Sequence, residues 1–224
     1  MAYDFSTLTK YDLDLKELQK DVLQKEFDFM YFDEWLNGWM NVFKNAEIDT
    51  STQILNLEKN GIPPFEVFVK EISFGKANFK FNFIVEGAKN YINNSKVSPN
   101  KMSGKDFFSK VMWTEEEIES THEINDPVYL VTFPTGNKMY LLIDGNKRVS
   151  QLLKGGINEI TYFDISPINI IEQQILLFTI EKAIYAFLIE SYTFQQHLKR
   201  GKYTHKDIFK SSNIFNAFKT LNEK

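Results

Sequence analysis

Residues 139–156 read MYLLIDGNKRVSQLLKGG, and the fold turns on how this stretch is parsed. The apolar run 139–143 breaks into Asp144, Gly145, Asn146, Lys147 and Arg148. Val149, Leu152 and Leu153 then recur at helical spacing until Gly155 and Gly156 stop them. The pattern predicts a strand, a tight loop, a helix of about two to three turns and a C-terminal glycine cap. Such a loop turns the unsatisfied N–H groups of a helix N-terminus outward, here with Lys147 and Arg148 beside them. That is how a chain builds a phosphate or carboxylate site.

Working outward, residues 127–133 alternate weakly and predict a strand, Pro134-Thr135-Gly136-Asn137 is turn chemistry, and 138–143 is the return strand. Downstream, 159–165 predicts another strand ended by Pro167. Residues 168–199 carry one or two long helices, and Thr204 and Ser211 can cap two short terminal ones. Upstream, Thr114 with Glu117 three residues later is a capping box, and Glu115, Glu116 and Glu117 suit the positive helix end rather than a metal. Ser103 can cap a short helix through Val111, and 93–101 has linker composition.

Nearer the N-terminus, Leu13, Leu15, Leu18, Val22 and Leu23 have helical spacing. A second helix is expected over 33–44, with Trp35, Trp39, Met40 and Phe43 as a core stripe, and a third opens at Thr50-Ser51-Thr52 and runs to Lys59. Pro63-Pro64 predicts a Pro-started helix closed by Gly75. The alternation of Phe79, Phe81, Phe83 and Val85 then predicts a strand.

The expected class is therefore α+β: a small mixed-sheet core with extensive N- and C-terminal helical elaborations. The expected division is a mainly helical 1–92, a core over 102–165 and a helical 166–224 packing on it, or all of these in one compact domain.

The 224 residues, 43% hydrophobic and including 21 Phe, suffice for an aromatic-rich core. Absence of Cys excludes disulfides, thiolate metal sites and a cysteine nucleophile. The N-terminus carries acids and no apolar signal core. The most apolar segment, 168–189, is broken by Glu172, Gln173, Gln174, Glu181 and Lys182, so a soluble cytoplasmic protein with no membrane partner is expected. Residues 1–60 hold twelve acids against six Lys, whereas 195–224 hold seven Lys/Arg against two acids. The acidic front argues against whole-surface nucleic-acid binding and leaves only a basic C-terminal patch for it. Only two of the 26 basic residues are Arg, and one is Arg148. Its planar fork suits a bidentate phosphate or carboxylate contact, or an internal clamp on Asp144.

The order helix, strand, turn, strand, glycine loop, helix, strand over about fifty residues resembles the ParB/sulfiredoxin superfamily core. Pro127-Val128, Gly136, Leu142-Ile143, Gly145-Asn146-Lys147-Arg148 and Gly156 carry the resemblance, over roughly residues 114–165. What it implies is a nucleotide or phosphate site at the loop, formed by Asp144, Gly145, Asn146, Lys147 and Arg148. A nucleoside triphosphate is the implied ligand, and Mg²⁺ the implied metal, with Asp144 either holding it or orienting Arg148. Helix residues Glu119 and His122 are the accessory candidates, and Glu123 is a second upstream carboxylate.

Asn146 departs from the family, standing where sulfiredoxins carry the reactive Cys and many ParB proteins carry Glu. No catalytic residue is therefore assigned, and whether the chain is an enzyme stays open. Asp-Gly-Asn-Lys-Arg also resembles the Fic/Doc loop, but Tyr140 occupies the place of that family's catalytic His, and the flanks read as strand where Fic proteins are helical. The remaining alternative is an interaction or regulatory protein whose loop serves structure alone. His122, His197 and His205 form no metal-type spacing, and no metal ligands are assigned.

Overall fold

The computed structural model describes residues 28–60, 65–74, 77–116, 126–135, 137–156 and 159–216. It is an α+β protein with helical N- and C-terminal regions. Its elements in chain order are α1 (Phe32–Asn60), β1 (Val67–Phe74), β2 (Ala77–Ile84), α2 (Val85–Ser95), β3 (Asn100–Ser103), α3 (Gly104–Lys110) and β4 (Val111–Met112). There follow β5 (Val128–Thr135), β6 (Lys138–Asp144), α4 (Asn146–Lys154), β7 (Glu159–Ile165), α5 (Pro167–Glu172), α6 (Thr179–Arg200) and α7 (His205–Lys210). Among the described residues, those within 65–68 and 82–177 form one compact unit, and those within 28–60, 69–81 and 178–216 form another.

The first unit is built on a five-stranded mixed sheet in the order β3-β7-β5-β6-β4. β5 and β6 make the predicted antiparallel hairpin, with Leu130 opposite Leu142 and Thr132 opposite Tyr140. β7 returns parallel to β5, placing Val128 beside Tyr162 and Leu130 beside Asp164. Val128, Leu130, Val131 and Phe133 are all buried, so β5 is covered on both faces, as a central strand of near-continuous apolar sequence should be. One face packs Val128, Leu130, Leu142 and Ile160 against Phe107 of α3 and Val149 and Leu152 of α4. On the other, Phe133 meets Phe83 edge-on at 6.1 Å.

The second unit is organised by α1 and α6. Trp35, Trp39 and Phe43 lie on one stripe of α1 and pack on Phe187 with ring centroids 5.1–5.7 Å from it, Trp35 stacked and the other two edge-on, so the aromatic stripe is core. Glu190 of α6 is buried among these rings. It accepts from the indole N–H groups of Trp35 and Trp39 and from the backbone and side chain of Asn213. A buried carboxylate is tolerated only when its oxygens are satisfied in this way.

Several expectations are corrected. The helices expected over 33–44 and 50–59 are one continuous helix, α1. Its cap signal, Thr50-Ser51-Thr52, serves other purposes. Ser51 and Thr52 donate back to the carbonyls of Glu47 and Ile48 at 2.9 and 3.2 Å. Thr50 Oγ1 and Gln53 Oε1 accept from the first amides of α6, Ile180 N and Thr179 N, each at 3.0 Å. The residues that read as a cap do cap a helix, but a different one, about 130 positions on.

Residues 67–74 are strand β1 rather than the expected Pro-started helix. β-branched Val67, Val69 and Ile72 favour extended backbone, and the alternating β2 supplies a partner, with Lys80 and Glu71 paired across at 2.9 Å. Only residues 96–99 of the supposed linker 93–101 are a connection; the rest is the end of α2 and the start of β3, an edge strand held antiparallel to β7, with Lys101 paired to Glu159 at 2.7 Å. Edge strands carry such polar sequence because one side meets water. Thr114, Glu115 and Glu116 are not helical, and the rest of the expected helix, residues 117–125, lies outside the described residues, as do the first expected helix and Gly136. Ser103 and Thr204 cap α3 and α7 as predicted; Ser211 ends α7, and the second terminal helix opens one residue later, with residues 213–216 helical and Ser212 Oγ accepting from Phe215 N–H at 2.9 Å. No helix among the described residues is long and apolar enough to cross a membrane.

Candidate functional site

The loop forms where β6 runs out of apolar residues. Leu141, Leu142 and Ile143 are buried, Asp144 is the last strand residue, and Gly145 turns the chain with φ +109°. A Cβ there would stand 2.6 Å from Val128 Cγ1 in a backbone region that L side chains avoid, so only glycine fits. Val149 N–H closes the first turn of α4 on Gly145 O at 2.9 Å. The amides of Asn146, Lys147 and Arg148 precede that bond and have no partner among the described residues, as a helix N-terminus dictates. Strand, glycine turn, helix and glycine stop are thus all where the sequence placed them.

The side chains divide into brace and surface. Arg148 is a brace: Nη1 donates to the carbonyls of Asp126 (3.2 Å) and Pro127 (2.8 Å), and Nη2 to Asp144 Oδ2 at 3.0 Å. Lys89 of α2 reaches the same Asp144 oxygen at 3.3 Å. With two cations on it, this carboxylate is a poor Mg²⁺ ligand and a good clamp between α2, β6 and α4. Among the described residues no group of three or more acids or histidines is placed to hold a metal ion.

Asn146 is 7% exposed, and its Oδ1 accepts from Thr114 N–H at 3.0 Å. One turn on, buried Ser150 accepts from Glu116 N–H at 3.0 Å. Together they hold residues 114–116 extended along α4. That assigns Asn146 a positioning role which the comparison with Cys or Glu at this position did not suggest. Lys147, by contrast, is exposed and has no ion pair among the described residues.

Residues 143–148 open into a cleft of about 350 Å³, shared with Glu66, Val67, Phe68 and Glu116. Glu66 is fixed there by its backbone: its N–H donates to Glu86 Oε2 at 2.9 Å, and its carbonyl accepts from Val85 N–H at 3.0 Å. Nothing local in the sequence marks Glu66, Phe68 or Lys89 as neighbours of a loop some sixty to eighty residues later. Near the clamp, burial raises the pKa of the Tyr129 hydroxyl above its ordinary value, and the charge of Lys89 opposes that rise.

Of the predicted site residues, Asp144, Gly145, Asn146, Lys147 and Arg148 do come together. Accessory candidates Glu119 and His122, with Glu123, lie outside the described residues. His197 and His205 belong to the other unit, where His205 Nδ1 accepts from Met30 N–H. The basic residues Lys199, Arg200, Lys202, Lys206 and Lys210 are all exposed.

Compared with known proteins, the chain matches no family model, no curated protein and no solved structure.

Proposed function

We propose that the chain is a phosphate-binding domain of ParB/sulfiredoxin-like type that grips a nucleotide or related anion at the start of α4. One observation carries this reading: residues 146–148, whose amides have no partner among the described residues, line a cleft together with the exposed side chain of Lys147. Three convergent N–H groups at a helix N-terminus, plus one mobile cation, are sufficient to hold a phosphate. The strand–loop–helix at 138–154 and the parallel return strand β7 support the resemblance. Because the loop follows a strand and Tyr140 sits in that strand, a Fic-like transfer reaction has neither its base nor its helical setting.

The grip is backbone and Lys147; Arg148 shapes it. A second reading, that the loop is purely structural, is favoured by the three internal bonds of Arg148. Calorimetry and thermal shift with phosphate, AMP and ATP, with and without Mg²⁺, separate the two. Phosphate-bearing ligands should raise the melting temperature of the full chain. Lys147→Glu should weaken binding about tenfold or more, each tenfold being about 1.4 kcal/mol. If no such ligand binds or stabilises the protein at millimolar concentration, the structural reading takes its place.

A further inference from the structure

The cleft has more in it than a phosphate needs. Phe68 lines it, is partly exposed, and makes no ring contact among the described residues, although most of the protein's described Phe residues pack ring against ring. Asn146 is more than nine-tenths buried and also lines the cleft. Its Oδ1 is occupied by Thr114, while its Nδ2 donates to nothing among the described residues. Nδ2 is not among the described side-chain atoms sealed from water without a partner, so it is a donor open to whatever occupies the cleft. Charge around the cleft is balanced with no surplus: Asp144, Glu66 and Glu116 stand against Lys89, Arg148 and Lys147, with Lys89 3.3 Å from Asp144 and 4.0 Å from Glu66. Lys147 has no ion pair among the described residues.

From these three observations we infer that the cleft is shaped for a nucleoside monophosphate, with Phe68 stacking the base and Asn146 Nδ2 donating to the phosphate or the sugar. This rests on the phosphate-binding reading. A flat ring is what an unpaired, half-exposed Phe on a cleft wall can hold, and stacking is tolerant of which base it is. The two carboxylates call for hydrogen-bond donors, which ribose hydroxyls and exocyclic amines provide and a phosphate monoester dianion by itself lacks. One phosphate carries about −1.5 to −2 charge, which Lys147 and the helix end can meet. Further phosphates would add charge beside Glu66 and Glu116, where the described residues offer no cation in excess of the carboxylates. The volume of about 350 Å³ lies at the small end of the roughly 300–1,000 Å³ usual for ligand sites, suiting a mononucleotide.

The test is calorimetric titration of the full chain with AMP, CMP, ribose 5-phosphate and ATP, on wild type, Phe68→Leu and Asn146→Asp. Phe68→Leu keeps the apolar wall and removes the ring. Asn146→Asp keeps an acceptor for Thr114 N–H and removes the donor, and melting temperatures confirm that both variants fold. AMP and CMP should bind at least about fivefold more tightly than ribose 5-phosphate, the low end of what one stacked base contributes. Phe68→Leu should abolish that difference while leaving ribose 5-phosphate unchanged. Asn146→Asp should weaken all four ligands, and ATP should bind no more tightly than AMP. Should ribose 5-phosphate equal AMP, or Phe68→Leu leave AMP binding intact, the base-stacking inference falls while the phosphate grip stands. ATP binding tenfold tighter than AMP without Mg²⁺ would overturn the charge argument, and binding of none of the four would remove the underlying reading too.

Discussion

Replacing Arg148 by Ala separates a brace from a grip. In the folded protein its guanidinium makes three bonds, to Asp126 O, Pro127 O and Asp144 Oδ2, with the side chain 22% exposed. Asp126 is exposed, so water replaces that bond at little cost. Pro127 is half-buried, and Asp144 retains Lys89. Charge-assisted bonds contribute about 1.5–3 kcal/mol each when desolvated, and less at a partly exposed pair. Summed with those discounts, Arg148→Ala should cost the first unit about 2–3 kcal/mol. Arg148→Lys, which can still meet Asp144 but cannot fork to two carbonyls, should recover about 1 kcal/mol of it. Because the chain has two compact units, a single bulk midpoint is a blunt readout. Hydrogen exchange resolved to β5 and β6 reports the relevant opening directly. Phosphate binding by the folded variant should stay within about threefold of wild type, under 1 kcal/mol. Unchanged exchange protection combined with a loss of phosphate affinity above about thirtyfold would refute the reasoning and make Arg148 the grip.

Two further outcomes are expected elsewhere in the molecule. Glu190→Gln leaves an amide with one acceptor oxygen facing four donors, so it should destabilise the α1–α6 pair by about 2–4 kcal/mol. Tryptophan fluorescence during urea unfolding reads this through Trp35 and Trp39, and a loss below about 0.5 kcal/mol would contradict the network's role. Asp164 has its pKa raised from 3.8 by burial, and its Oδ1 has no hydrogen-bond partner among the described residues. Its protonated form is therefore the one the fold prefers. The stability it contributes is full below 3.8 and is lost as pH rises through the elevated value. Asp164→Asn should accordingly stabilise the protein at pH 7 by less than about 1 kcal/mol, the group being half-exposed, and by nothing near pH 3. A variant less stable than wild type at pH 7 would mean the carboxylate has a favourable partner.

How much of this was legible follows from where each element's partners lie in the chain. Residues 128–165 were read almost to the residue, because their signals are local. β5 and β6 are joined by a short turn, α4 opens on a glycine that no other residue can replace, and β7 needs only a short return. Errors fall where distant partners overrule local preference. Thr50 looked like the cap of its own helix because nothing nearby reveals that Ile180 N–H needs an acceptor. Residues 67–74 read as the body of a Pro-started helix, and pairing with β2 overruled that local preference. β3 read as linker because an edge strand at a solvated rim has no reason to be apolar.

The site shows the same division at finer scale. Sequence located the loop and named its five residues but could not say which ones face outward. Arg148 read equally as an anion contact or as an internal clamp on Asp144, and the structure has the clamp, extended to two carbonyls. Asn146 looked like a lost catalytic position, and the structure spends half of it on Thr114. These commitments follow from the geometry of the turn. A glycine at φ +109° leaves the loop no side chain of its own to hold it, so Asp144, Asn146 and Arg148 must fasten it to α2, to residues 114–116 and to the start of β5. A loop fastened on three sides can present its backbone amides without reorganising, which is the condition under which weak N–H donors hold an anion well. On the proposed anion-binding reading the discriminating groups come from outside the motif, and Glu66 and Phe68, on a segment pinned to α2, line the same cleft.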